Sequence, residues 1–88
     1  MNAKHRRTLA AIFVQPALPN VHWTDIEALL LALGATCSEG RGSRVRVILN
    51  GAEAVFHRPH PSPETDKGAL KAVQRFLEDA GVSHDNNV

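Results

Sequence analysis

Glu39-Gly40-Arg41-Gly42-Ser43-Arg44-Val45-Arg46-Val47-Ile48-Leu49-Asn50-Gly51-Ala52-Glu53-Ala54-Val55-Phe56-His57-Arg58-Pro59-His60 is the stretch that decides the fold. Residues 43–49 and 52–58 read as strands on either side of Asn50-Gly51. An Asn-Gly pair so placed is the strongest short-range hairpin signal, because both central residues of a type I′ turn need positive φ. A two-residue loop puts Leu49 opposite Ala52, Val47 opposite Ala54 and Val45 opposite Phe56, all on one apolar face. The other face then carries Arg44 opposite His57, Arg46 opposite Val55 and Ile48 opposite Glu53. A four-residue loop shifts the pairs but leaves each residue on its face. Upstream, Gly40-Arg41-Gly42 reads as a turn entered from a short strand over 35–39.

Helices are expected on both sides of this hairpin. Residues 4–14 form a short helix with Leu9, Ile12 and Phe13 as its stripe and Lys4, Arg6 and Arg7 in solvent. Pro16 and Pro19 end it and open an extended linker. Thr24-Asp25-Ile26-Glu27 has the form of a capping box, with the Thr24 hydroxyl and the Glu27 carboxylate closing the first turn. Ile26, Leu29, Leu30 and Leu33 follow with helical spacing. Ala28, Leu31, Ala32 and Ala35 make a second flank, so this helix is expected to be covered by the sheet and by the first helix. Trp23 reads as a packing residue at the helix entrance. Past Pro59, Pro61 and Pro63, a last helix over about 66–80 lines up Leu70, Val73, Phe76, Leu77 and Ala80, and Gly81 stops it.

The division expected is an N-terminal helix and proline-containing linker over 1–20, a principal domain over 21–82 and a polar, disordered tail over 83–88. The fold class is α+β, a three-stranded antiparallel sheet backed by helices, with one helix more at the N-terminus. The longest apolar run, residues 28–33, is too short to span a bilayer. The apolar residues 8–14 end at Gln15-Pro16 with no cleavage-site pattern. The single cysteine, Cys37, permits no internal disulfide and fits a reducing cytoplasm; it reads as a half-buried strand thiol.

A net charge of +1 hides an uneven distribution. Residues 1–40 sum to zero, residues 41–60 to +3 and residues 61–88 to −2. The positive excess therefore sits on the hairpin, beside His57 and His60. Arg44 and Arg46 can donate charge-assisted hydrogen bonds to phosphate oxygens, although a solvated outer sheet face needs no more than this composition. His57 and His60 lack a third metal ligand, so no metal site is expected. Gly40-Arg41-Gly42-Ser43 lacks the lysine and helix of a phosphate loop. Neither a carboxylate pair nor a Ser/His/Asp set is evident, and no cofactor is expected.

The order of Leu33-Gly34-Ala35, Glu39-Gly40-Arg41-Gly42-Ser43, the hairpin, His57-Arg58-Pro59-His60, Lys67-Gly68-Ala69-Leu70 and Asp79-Ala80-Gly81-Val82 resembles the HicA family, from about Trp23 to Val82. These are small mRNA interferase toxins of toxin–antitoxin systems. The resemblance implies a double-stranded-RNA-binding-like fold (α-β-β-β-α), mRNA as substrate, metal-independent endoribonuclease activity and a HicB-like antitoxin that covers the active face. In the family a histidine taken to be catalytic follows the Gly-Ser pair; here Arg44 follows Gly42-Ser43. Arginine stays protonated in proteins, so it can stabilise a phosphorane but cannot be the base. His57, opposite Arg44, is the candidate base in its place. Arg41, Ser43, Arg44, Arg46, Arg58, His60 and Lys67 are the candidate RNA contacts. The alternative is a non-catalytic RNA-binding or protein-interaction module of the same fold.

Overall fold

A computed structural model describes residues 1–83. The tail expected over 83–88 lies, from residue 84 on, outside the described residues. The order is α1 (Ala3–Phe13), α2 (Trp23–Ala32), β1 (Thr36–Glu39), β2 (Arg44–Leu49), β3 (Ala52–His57) and α3 (Lys67–Asp79). The strands form one antiparallel sheet in the order β1-β2-β3. This is the expected α-β-β-β-α arrangement with an additional N-terminal helix.

The β2–β3 register is the one a two-residue loop dictates: Leu49 pairs with Ala52, Val47 with Ala54, Val45 with Phe56 and Arg44 with His57. Asn50 and Gly51 take φ values of 51° and 85°, the left-handed pair that a type I′ turn needs. Asn50 has a second role, because its side-chain amide donates to the Ala80 carbonyl at 2.8 Å. One of the orphan carbonyls at the α3 C-terminus is thereby satisfied by the hairpin turn.

The inner face of the sheet supplies Val45, Val47, Leu49 and Phe56 to a single core. Helix α2 adds Ile26, Leu29 and Leu30, and α3 adds Leu70, Val73, Phe76 and Leu77. Phe56 stands at its centre, with ring centroids 5.6 Å from Trp23 and 5.7 Å from Phe76. Trp23 is thus the packing residue expected of it. Helix α1 packs on α2 and α3 and brings Leu9 and Ile12 into the same cluster. Gln74 of α3 donates to the Ile12 carbonyl at 2.6 Å, closing the α1 C-terminus. Asp66 caps α3, accepting from the Ala69 N–H at 2.7 Å.

Two expectations for α2 are corrected. The helix begins at Trp23 with His22 as its cap residue and no side-chain cap bond, so the Thr24 capping box does not form. The reason is tertiary. Residues 63–65 run antiparallel to 21–23, with the Trp23 N–H donating to the Pro63 carbonyl and the Thr65 N–H to Val21. That fixes the start of the helix two residues before the position a Thr24 cap would give it, and Glu27 turns to other donors. The second apolar flank is not covered either: Ala28, Leu31 and Ala32 are exposed, Leu31 by 56%, and only Ala35 is buried. Helix α1 packs on α2 without covering that flank, and its Leu9 and Ile12 join the core that holds Leu29 and Leu30.

Candidate nucleic-acid interface

Strand alternation leaves Arg44, Arg46, Ile48, Glu53, Val55 and His57 exposed on the bare face of the sheet. Arg44 and His57 are direct cross-strand partners at the end distant from the Asn50 turn. Gly40 lets Arg44 sit there. Its N–H donates to the Arg44 carbonyl at 2.9 Å, and a Cβ on residue 40 would meet the Arg44 Cβ at 3.2 Å. A side chain at residue 40 would require Arg44 to give by a few tenths of an ångström, so glycine suits that approach.

The eight candidate residues divide into two sets by their bonding. Arg46 donates to Glu53 on the same face, which holds the Glu53 carboxyl below its usual range. Arg58 lies two residues past Phe56, on the helix side of the sheet and not on the face of His57. Its Nε and one terminal nitrogen hold Glu27 at 2.9 and 2.8 Å. Its terminal nitrogens hold Glu39 at 2.7 and 3.0 Å. The guanidinium keeps both carboxyls below the ordinary carboxylate range, most directly through these hydrogen bonds. Glu27 also accepts the Trp23 indole N–H at 2.6 Å. Sequence reading missed both carboxylate partners of Arg58. In the sequence Glu27 has the spacing of a helix-capping carboxylate, and Glu39 is brought near only by the β1–β2 pairing.

The second set takes no carboxylate among the described residues. Arg41 and Ser43 are exposed in the β1–β2 turn, and Arg44 follows them. His57, His60 and Lys67 line one open groove of about 630 Å³, whose walls also carry Arg58 and the carboxylates of Glu64 and Asp66. The chain turns at Pro59, and His60 lines the same groove as His57, a placement that the proline-rich sequence left open. No three of the described His, Cys, Asp and Glu side chains gather into a metal-binding group. Cys37 is half-buried, and its burial pushes the thiol pKa up.

An antiparallel sheet with helices on one side and Arg44 and His57 exposed on the other, in the order α-β-β-β-α after an additional helix, defines an α+β domain. A family model described as "HicA toxin of bacterial toxin-antitoxin" matches residues 23–82. The chain belongs to the HicA toxin family. Helix α1 lies outside the matched stretch yet shares its core. No curated protein and no solved structure matches the chain. Among the described residues, no helix is long and apolar enough to cross a membrane.

Proposed function

We propose that this toxin-family chain binds mRNA through the Arg44–His57 end of its hairpin and cleaves it without a metal. It would act in the cytoplasm under the control of a HicB-like antitoxin. The observation that carries the reading is the cross-strand pair of Arg44 and His57 on an exposed face, with His60 and Lys67 along the adjoining groove. A phosphodiester seated there meets Arg44 as a permanent cation. His57 takes the proton of the 2′-hydroxyl, whose oxygen attacks phosphorus. The bond to the 5′ oxygen breaks, and that oxygen takes a proton from solvent. A 2′,3′-cyclic phosphate and a 5′-hydroxyl result. Arg41, Ser43 and Lys67 extend the phosphate contacts along the strand. Arg46 and Arg58 serve this site from behind their carboxylates, Arg58 by anchoring the segment that carries His57 and His60.

The test compares wild type, Arg44→Ala and His57→Ala for growth arrest on induction and for new RNA ends with purified chain. His57→Ala is expected to abolish cleavage while its melting curve stays that of wild type. Cleavage that persists unchanged removes His57 from the role. Arg44 standing where the family carries its histidine favours a second reading, a module that holds RNA without cutting it. That module would retain RNA in a salt-sensitive way and yield no new ends after long incubation.

A further inference from the structure

The free edge of β3 is the surface left over once the fold and the proposed RNA site are accounted for. Its hydrogen-bond phase follows from the register. With Leu49 and Ala52 closing a two-residue loop, the bonded pairs of the hairpin are Leu49–Ala52, Val47–Ala54 and Val45–Phe56. The Arg58 N–H to Ser43 carbonyl bond, at 2.8 Å, continues the same phase. The N–H and C=O of Glu53, Val55 and His57 therefore point away from β2, and no other described backbone group bonds to them. The edge is regular, since the pairing runs from 44–57 to 49–52 without a bulge. It carries neither proline nor lysine, the usual guards of such an edge. Val55 at its middle is 54% exposed. The opposite edge, β1, is only four residues long, and its Glu39 is held by Arg58.

Beside this edge runs a groove of about 460 Å³, walled by β3 and by α3 residues Lys71, Ala72, Arg75, Phe76 and Asp79. Lys71 and Arg75 take no ion pair among the described residues, whereas Glu53 is neutralised by Arg46. Asp79 lies toward the Asn50 turn, next to the Ala80 carbonyl that Asn50 holds. The groove is thus cationic at its His57 end, with small Ala72 and apolar Phe76 on its helix wall.

We infer that the β3 edge docks one extended strand of a partner protein, with acidic and apolar side chains in alternation. The strand pairs its main chain with Glu53, Val55 and His57 and sets its acidic side chains on Lys71 and Arg75. Main-chain pairing supplies the affinity, and the alternate side chains in the groove supply the choice of partner. A strand seated as far as His57 lies in the plane of the sheet beside that residue, so the partner flanks the proposed RNA site, a consequence that rests on the reading of His57 as base.

The probe is a blocked peptide of alternating glutamate and valine, with an alternating lysine–valine peptide as control, added to the isotope-labelled full chain. Amide exchange at Glu53, Val55 and His57 is expected to slow at least tenfold with the acidic peptide and not with the basic one. Val55→Pro removes an edge donor without touching a bond to β2. It should abolish the protection while leaving the thermal melt and RNA cleavage as in wild type. Should that variant fold poorly, Lys71→Glu/Arg75→Glu serves instead, and its preference should shift to the basic peptide. Protection elsewhere, or none, overturns the inference. So does a Lys71→Glu/Arg75→Glu chain that loses RNA retention and shows no peptide preference, which makes the groove an RNA surface. RNA cleavage by wild type without peptide is scored in parallel. If it is absent, the proposed catalysis fails whatever the edge does; if it is present and the edge amides stay unprotected, only the docking strand fails.

Discussion

Replacing Glu27 by Gln tests whether the Arg58 clamp, a contact made only by the tertiary fold, holds the hairpin end in place. Glu27 accepts three hydrogen bonds, two from the Arg58 guanidinium and one from the Trp23 indole. The ion pair is well shielded, with side-chain exposures of 28% for Arg58 and 21% for Glu27. Glutamine keeps one acceptor oxygen but turns an amide donor toward a guanidinium donor, so at least one charge-assisted bond is lost. A hydrogen bond to a charged group contributes about 1.5–3 kcal/mol, and partial exposure favours the lower half, so the loss is about 2 kcal/mol. For a domain of this size that lowers the melting temperature by about 8–16 °C. Glu39→Gln should cost far less, because Glu39 is 74% exposed and solvent screens its pair. The pH dependence has a definite sign. Both carboxyls are held below their ordinary values in the folded chain, so their contribution is complete above the unfolded carboxylate pKa. It fades as pH falls through the lowered folded values, and Glu27→Gln should flatten that acid limb. The assay is thermal and urea unfolding followed by far-UV circular dichroism across acid pH. A Glu27→Gln melt equal to wild type, or a Glu39→Gln loss as large as the Glu27→Gln loss, refutes the clamp.

Other substitutions probe the remaining contacts. Ile12→Ala should cost about 2–5 kcal/mol in urea unfolding, since the side chain is fully buried, and so make α1 integral to the fold. Leu31→Ala, on the exposed flank of α2, should stay within about 0.5 kcal/mol of wild type. Asn50→Ala loses both the amide bond to Ala80 and a residue suited to positive φ, and should lower stability by about 1–3 kcal/mol. Asn50→Gly should recover only the backbone part. On the proposed reading, Arg44→Ala should reduce the slope of log affinity for RNA against log salt by about 1, measured by filter retention over a salt series. Arg58→Ala should change that slope little, because its guanidinium is already held by carboxylates.

How much of this protein the chain could disclose depended on the range over which each contact acts. The Asn50-Gly51 turn, the register it imposes and the cross-strand meeting of Arg44 and His57 are local. They follow from turn stereochemistry and from a side-chain period of two, and they were legible without any coordinates. The stripe of α3 and its Asp66–Ala80 limits were legible for the same reason. Helix α2 was only half legible. Its buried row obeyed the helical period, but Ala28, Leu31 and Ala32 looked equally apolar, and only the lie of α1 decided which row is covered. Thr24 and Glu27 had the spacing of a capping box. A backbone pairing with residues 63–65, some forty positions away, took over the start of the helix and released Glu27.

By itself, then, the sequence determined the hairpin, the face on which each of its residues lies and the concentration of positive charge there, because those depend on neighbours along the chain. The tertiary structure alone decided which of the cations remain available. Arg58 and Glu27 are 31 residues apart and Arg58 and Glu39 are 19 apart. No periodicity connects such positions, and only the packing of α2 and β1 around the end of β3 brings those carboxylates to one guanidinium. The same packing leaves Arg44 and His57 open and sets His60 and Lys67 in the groove beside them.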